Sequence, residues 1–176
     1  MGIGIAGLGT VGGGVFKLLD RQAELLAARC GRALEVRAVS AREKERDRGY
    51  DLSGVRWHDD PVALADDPDV EIVIELIGGE EGAARHLCEA ALGAGKHVVT
   101  ANKALIARHG NELAGLAEER GAALAFEAAV AGGIPIVKAL REGLAANPIR
   151  RVYGILNGTC NYILTAMDEA AAAGQE

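Results

Sequence analysis

"GIAGLGTVGGGV", residues 4–15, decides the fold. Ile3 to Ala6 is a short strand-like run, and Gly7 opens a turn. From Val11 to about Ala28 the set Val15, Leu18, Leu19, Gln22, Leu25 and Leu26, with Gln22 its one polar member, follows the i, i+3, i+4 spacing of an amphipathic helix. Between strand and helix, Gly7-Leu8-Gly9-Thr10-Val11-Gly12 matches GxGxxG. That pattern alone is weak, and a structural glycine turn is the alternative. Here it follows a strand and opens a helix at the head of an alternating chain, which is the context the motif requires. Gly7 permits the tight turn, Gly9 lets a pyrophosphate approach the backbone, and Gly12 allows close packing of helix on strand. The N–H groups of Thr10 and Val11, at the positive end of the helix, would hold phosphate oxygens.

Outward from this stretch the alternation continues. Leu34 to Val39 reads as a second strand, and the charged run Arg42 to Asp47 as a loop. Asp60-Pro61 reads as an N-cap and first-turn proline of a short helix ending near Asp66, before an Asp67-Pro68-Asp69 turn. Val70 to Ile77 is a nearly continuous β-branched run, as in a strand covered on both faces. Leu87, Cys88, Ala91 and Leu92 mark a helix, His97 to Thr100 a strand, Leu105 to Arg120 a helix, and Ala122 to Glu127 another strand. This order predicts a doubly wound α/β domain with a mostly parallel sheet. The style then changes. Gly132-Gly133 leads to Pro135 and a helix with Ile136, Val137, Leu140 and Leu144 on one face, ended by Asn147-Pro148. Arg151 to Leu156 reads as a strand, and "NGTCNYILTAMDEAAAAG" as a turn and a closing helix.

With 176 residues, 49% of them hydrophobic, the chain can bury one core and the beginning of a second. No apolar run has the length and uniformity of a membrane span, and no export or lipid-anchor signal is visible at the start. Cys30, Cys88 and Cys160 lie far apart without ligand spacing, which suits reduced thiols in the cytoplasm. A net charge of −6 with 3% aromatics supplies neither the basic field nor the stacking rings of a nucleic-acid binder. Small molecules are the expected partners.

Ligands of open α/β sheets bind beyond the carboxyl ends of the strands. That rule gathers Gly78-Gly79, Thr100 to Lys103, and Glu127 onward into one crevice. Lys103, flanked by Thr100 and Asn102, is a candidate contact or proton donor, with an ordinary surface lysine as the alternative. At the end of the second strand an acid would favour NAD and a cation the 2′-phosphate of NADP. Ser40-Ala41-Arg42, then Lys44 and Arg46, supply cations and no acid, so the reading leans to NADP. A solvated loop is the alternative for Lys44 and Arg46. "EAAVAGGIPI" sets Glu127 before a glycine-kinked segment whose carbonyls could build an oxygen site for a hard cation, and spacing alone favours a plain strand-end role. His58 and the carboxylates of "WHDDPVALADDPD" are assigned to caps and turns rather than metal binding. Cys160 is assigned to packing or a turn, and the four histidines form no ligand-spaced pair.

"GIAGLGTVGGGV", "VIELIGG", "GKHVVTANKALIA", "FEAAVAGGIPIVKAL" and "GILNGTCNYILT", in this order and at these separations, resemble the amino-terminal part of homoserine dehydrogenase. The resemblance implies a Rossmann-type NAD(P)-binding domain over residues 1–130 and the beginning of an α+β catalytic and dimerisation domain over 131–176. It implies interconversion of L-homoserine and L-aspartate 4-semialdehyde with NADP, or NAD, in threonine, methionine and isoleucine biosynthesis, by a cytoplasmic homodimer. Gly9, Thr10 and Val11 match the phosphate-binding turn, and Arg42 lies in the region governing NADP preference. Gly78 and Thr100 match the nicotinamide side, and Lys103 matches a lysine at cofactor and substrate that manages a proton. Glu127, with the carbonyls of Val130, Gly132 and Ile134, matches a site for sodium or a similar monovalent cation. Family members continue past Glu176 with a homoserine-binding glutamate, a catalytic aspartate and a second lysine. The 176 residues are therefore expected to bind cofactor while lacking part of the catalytic machinery. The alternatives are a non-catalytic NADP-binding module and another semialdehyde oxidoreductase of the same fold.

Overall fold

Six strands pair into one sheet: β1 (Gly2–Ala6), β2 (Glu35–Ser40), β3 (Arg56–His58), β4 (Ile72–Glu75), β5 (His97–Thr100) and β6 (Leu124–Ala125), in spatial order β3-β2-β1-β4-β5-β6. The structure is a computed structural model and describes residues 1–154 and 158–172. All five pairings are parallel, so connections must cross over a face of the sheet. The helices are α1 (Thr10–Arg21), α2 (Ala23–Cys30), α3 (Ala83–Gly93), α4 (Lys103–Arg120), α5 (Glu127–Val130), α6 (Ile136–Lys138) and α7 (Gly158–Ala172). The chain runs from β1 outward to β2 and β3, then returns to lay β4 against the other side of β1. Strand order therefore reverses between β1 and β4, where a crevice opens at the carboxyl ends.

Period-two alternation sorts the core. Ala6, Val73 and Val98 lie on one face with Leu87 and Leu92 of α3 and Leu105 and Leu113 of α4. Ile3, Ile5 and Val39 lie on the other with Val15, Phe16 and Leu19 of α1. By the same alternation Glu75 shares the face of Val73, and Thr100 that of Val98. The β4–β5 register sets Glu75 directly beside Thr100.

Several elements differ from the sequence expectation. The helix expected over 11–28 breaks at Gln22, its polar member, into α1 and α2, and α2 buries no residue. β3 was not expected, because Arg-Trp-His shows no apolar alternation; its pairing with β2, Ala38 to Arg56 through Ser40 to His58, makes it a strand. The short helix after Asp60 is a 3₁₀ turn, Pro61–Leu64, with the Asp60 side chain accepting from the Val62 N–H as a cap. The strand expected over 122–127 is only Leu124–Ala125, because Glu127 opens α5. α6 passes into a wider π turn, Ala139–Gly143. Arg151 to Gly154 lie in no regular element, and Ile155, Leu156 and residues 173–176 lie outside the described residues.

Two compact units divide the chain, Met1–Gly143 and Leu144–Glu176. The second contains α7, on which Tyr162, Leu164 and Met167 are exposed. Among the described residues no helix is long and apolar enough to cross a membrane.

Candidate functional site

The glycine turn contains two kinds of glycine. Gly7 has φ +96°, and a Cβ there would lie 2.6 Å from the Leu76 carbonyl oxygen, so the turn itself demands glycine. A Cβ on Gly12 would lie 1.8 Å from the Gly7 carbonyl oxygen, which shows how closely α1 packs on the end of β1. Gly9 is extended, with φ −76° and ψ −157°, and a Cβ there would meet nothing within 4 Å. The fold does not need this third glycine; the space beside it is room for a ligand. No side chain among the described residues caps α1, so its first-turn N–H groups, those of Thr10 and Val11 included, remain for an anion. This cradle fits the pyrophosphate of a dinucleotide.

The facing wall is organised by a residue the sequence reading passed over. Glu75, the last residue of β4, is fully buried. Its Oε1 accepts from the N–H groups of Ile77 at 2.8 Å and Gly78 at 3.0 Å. Its Oε2 accepts from the Thr100 hydroxyl at 2.6 Å, and Thr100 Oγ1 accepts from the Asn102 N–H at 2.9 Å. The Asn102 side chain caps α4 by accepting from the Leu105 N–H at 3.1 Å and donates to the Gly79 carbonyl at 2.5 Å. One carboxylate thus ties the loop after β4 to the start of α4. Gly78 and Gly79, with φ +83° and +89°, turn that loop through the left-handed region. Lys103 is the first residue of α4 and is exposed. Every partner of Glu75 is a donor, which suits an acceptor-only carboxylate. The signal for it was an acid inside an apolar run, with Thr100 at matching parity in the next strand.

Beyond Gly79 the loop is anchored at Glu81, which accepts from Arg85 at 3.1 Å and faces His109 Nε2 at 2.8 Å. Hydrogen bonds from His109 and then Arg85 hold the Glu81 carboxyl below the usual range. His109 Nδ1 faces Glu112 at 3.3 Å.

The opposite end of the crevice is basic. A cleft of about 510 Å³ is lined by Gly9, Ser40, Arg42, Arg46 and Arg48, and on its acidic side by Glu43 and Asp59. Arg42, Lys44 and Arg46 are all exposed; Lys44 is not among the lining residues.

The remaining candidates fall elsewhere. Glu127 Oε1 and Oε2 accept from the N–H groups of Val137 at 2.8 Å and Lys138 at 2.9 Å, so this carboxylate caps α6. The Glu127 and Ile134 carbonyls accept from Ala131 at 3.0 Å and Ile136 at 2.8 Å, on either side of a turn in which Gly133 has φ +80°. Val130 and Ile134 are exposed, and Gly132 is in the turn. Among the described residues no group of three His, Cys, Asp or Glu side chains is placed to hold a metal. His58 and Asp67 do meet, as a structural pair: His58 Nε2 lies 2.8 Å from Asp67 Oδ2, and Arg56 holds Asp67 Oδ1 at 2.5 Å and Asp69 Oδ2 at 2.8 Å. Burial alone would raise the Asp67 pKa, but hydrogen bonds from Arg56, His58 and the Asp69 N–H bring it down to about 2. Burial pushes the Cys88 thiol up to about 12, while Cys160 lies on exposed α7.

A parallel sheet with its order reversed at β1 and β4, a glycine cradle at the first strand-to-helix turn and a polar crevice beside it define a Rossmann-type NAD(P)-binding domain. Residues 7–127 match the family described as homoserine dehydrogenase, NAD binding domain, and residues 135–176 match homoserine dehydrogenase itself. The chain belongs to the homoserine dehydrogenase family. It is 52% identical over 95% of its length to the homoserine dehydrogenase of Pseudomonas aeruginosa, covering 38% of that protein. A homoserine dehydrogenase crystal structure from Thiobacillus denitrificans shares 45% identity and a TM-score of 0.86, over 99% of this chain and 42% of that one. A hyperthermophilic archaeal homoserine dehydrogenase in complex with NADPH shares 27% identity and a TM-score of 0.67, over 82% of this chain and 49% of that one. The chain thus spans about 38% of the length of the curated relatives it matches.

Proposed function

We propose that this chain is the cofactor-binding part of a cytoplasmic, homodimeric homoserine dehydrogenase. The whole protein would interconvert L-homoserine and L-aspartate 4-semialdehyde on the route to threonine, methionine and isoleucine. We place the border between its cofactor-binding domain and the start of its catalytic and dimerisation domain near residues 130 and 131. The observation that carries this reading is the Glu75–Thr100–Asn102 chain, which sets Lys103 beside the Gly78-Gly79 loop at the carboxyl end of the sheet.

The nicotinamide, when bound, supplies the hydride acceptor or donor. Gly7, Gly9 and Gly12 shape the pyrophosphate cradle, and Thr10 and Val11 donate to it from the helix terminus. Gly78 and Thr100 border the nicotinamide end. Arg42 favours the 2′-phosphate of NADP over NAD by charge. The Lys103 ammonium donates to the substrate oxygen and stabilises the charge that develops there, where exclusion of water strengthens the attraction. A monovalent cation such as sodium would be held in the turn after α5 by Glu127 with the carbonyls of Val130, Gly132 and Ile134.

The test pairs a titration of NADPH with a turnover assay on homoserine and NADP. This chain is expected to bind NADPH without turnover. In the longer protein, Lys103→Met is expected to lower kcat by about 10²–10⁴-fold with NADPH affinity little changed. Loss of NADPH affinity with unchanged kcat would make Lys103 a cofactor contact instead. A second reading is a module that binds cofactor and catalyses nothing. Turnover by the longer protein excludes it.

A further inference from the structure

The loop between β2 and β3 contains an arginine whose role the cofactor reading does not use. Arg48 turns back on its own loop. Nη1 donates to the carbonyls of Lys44 at 3.4 Å and Arg46 at 2.9 Å, and Nη2 to that of Glu43. Its guanidinium lies over the ring of Trp57 in β3, 5.4 Å from the centroid. The Trp57 indole is itself fixed by donating to Asp59 at 3.1 Å. Two residues further on, Tyr50 stacks on Phe16 of α1 with ring centroids 4.7 Å apart. The loop is therefore held at Arg48 and at Tyr50, and Arg48 commits Nη1 and Nη2 to it, while its buried Nε makes no hydrogen bond among the described residues. Arg42 and Arg46, exposed and lining the cleft, make no such inward bonds among the described residues. Three carbonyls on one planar fork set the loop's curvature, and that curvature decides where Arg42 and Arg46 stand.

We propose that Arg48 is the positioning residue for discrimination between NADP and NAD: it braces residues 43–48 so that Arg42 and Arg46 meet a 2′-phosphate, without contacting that phosphate itself. The inference rests on the NADP reading above. A fork that satisfies three carbonyls cannot be replaced by a point charge, so a lysine at this position keeps the charge and loses the brace. The pyrophosphate cradle at Gly9 lies on a separate turn and is left as it is.

The experiment measures dissociation constants of NADPH and NADH for this chain and for Arg48→Lys and Arg48→Gln, with thermal melts alongside. In both variants NADPH is expected to weaken by about tenfold, the scale of one lost charge-assisted contact, with NADH within about twofold. Emission of Trp57, the one tryptophan of the sequence, is expected to shift in both. Retention of NADPH preference in Arg48→Lys with loss in Arg48→Gln would assign Arg48 a direct charge on the phosphate and overturn the brace. Equal weakening of both cofactors, or no change in either, would also overturn it. A wild-type ratio near one overturns the NADP reading and the proposal together, whereas a wild-type preference that survives both substitutions overturns the proposal alone. Should the Arg48 variants fail to fold, Trp57→Leu, which removes the surface beneath the guanidinium, carries the same expectation and the same refutation.

Discussion

The two walls of the crevice are built on opposite principles. The wall at β4 and β5 rests on Glu75, Thr100 and Asn102, all buried and all bonded to one another or to the backbone. The wall after β2 presents Arg42 and Arg46 to water on a loop held by main-chain carbonyls and an aromatic face. In the first, position is fixed by desolvated hydrogen bonds whose loss is costly; in the second, charge acts through solvent and each group contributes little to the fold. Geometry at the buried wall and charge at the exposed wall are thus separable, and substitutions can separate them.

The largest effect is expected at the buried wall. Glu75→Ala leaves the N–H groups of Ile77 and Gly78 and the Thr100 hydroxyl without their acceptor, and should cost about 3–5 kcal/mol in urea unfolding. A loss under about 1 kcal/mol would mean that the two walls do not differ in kind.

Asp67 tests whether burial, rather than position at the ends of β4 and β5, makes the difference, because it is buried against Arg56 and His58 of β3. The Asp67 carboxyl is held at about 2, below its ordinary value of 3.8, so its contribution is complete above the unfolded value and is lost as pH falls through 2. Acid titration of stability should show roughly 2 kcal/mol leaving between about pH 4 and pH 2, a loss that Asp67→Asn abolishes.

Gly9→Ala separates cradle from fold. With nothing within 4 Å of the added carbon, the melting temperature should stay within about 2 °C, while NADPH affinity falls about tenfold. The same change at Gly12 drives a methyl into the Gly7 carbonyl and is expected to lower the melting temperature as well.

The smallest effect on the fold belongs to the exposed wall. Arg42→Gln should leave stability within about 0.5 kcal/mol and weaken NADPH by severalfold relative to NADH, more so at low salt. A fall in stability comparable to that of Glu75→Ala would erase the distinction between the walls.

Much of this was readable in the one-dimensional chain. Gly7 and Gly12 announce a strand-to-helix turn because only glycine tolerates the positive φ of the one and the close backbone approach of the other, and such constraints are local. Apolar periodicity set out β1, β2, β4, β5 and the helices between them. What escaped was non-local. β3 has no pattern of its own and exists because β2 offers an open edge. The helix over 11–28 breaks at Gln22, and α2 beyond it buries no residue. Glu127 reads as a strand end, yet it caps a helix ten residues onward.

The sequence by itself determined β1, β2, β4, β5, the alternation of strands with helices and the glycine turn after β1, since periodicity and glycine stereochemistry act between neighbours. Only the tertiary structure decided that Glu75, 25 residues from Thr100, holds the start of α4, and that Arg48 clasps its loop against Trp57. Those contacts join separate strands and loops, and no spacing along the chain encodes which carbonyl or hydroxyl a buried charge will find.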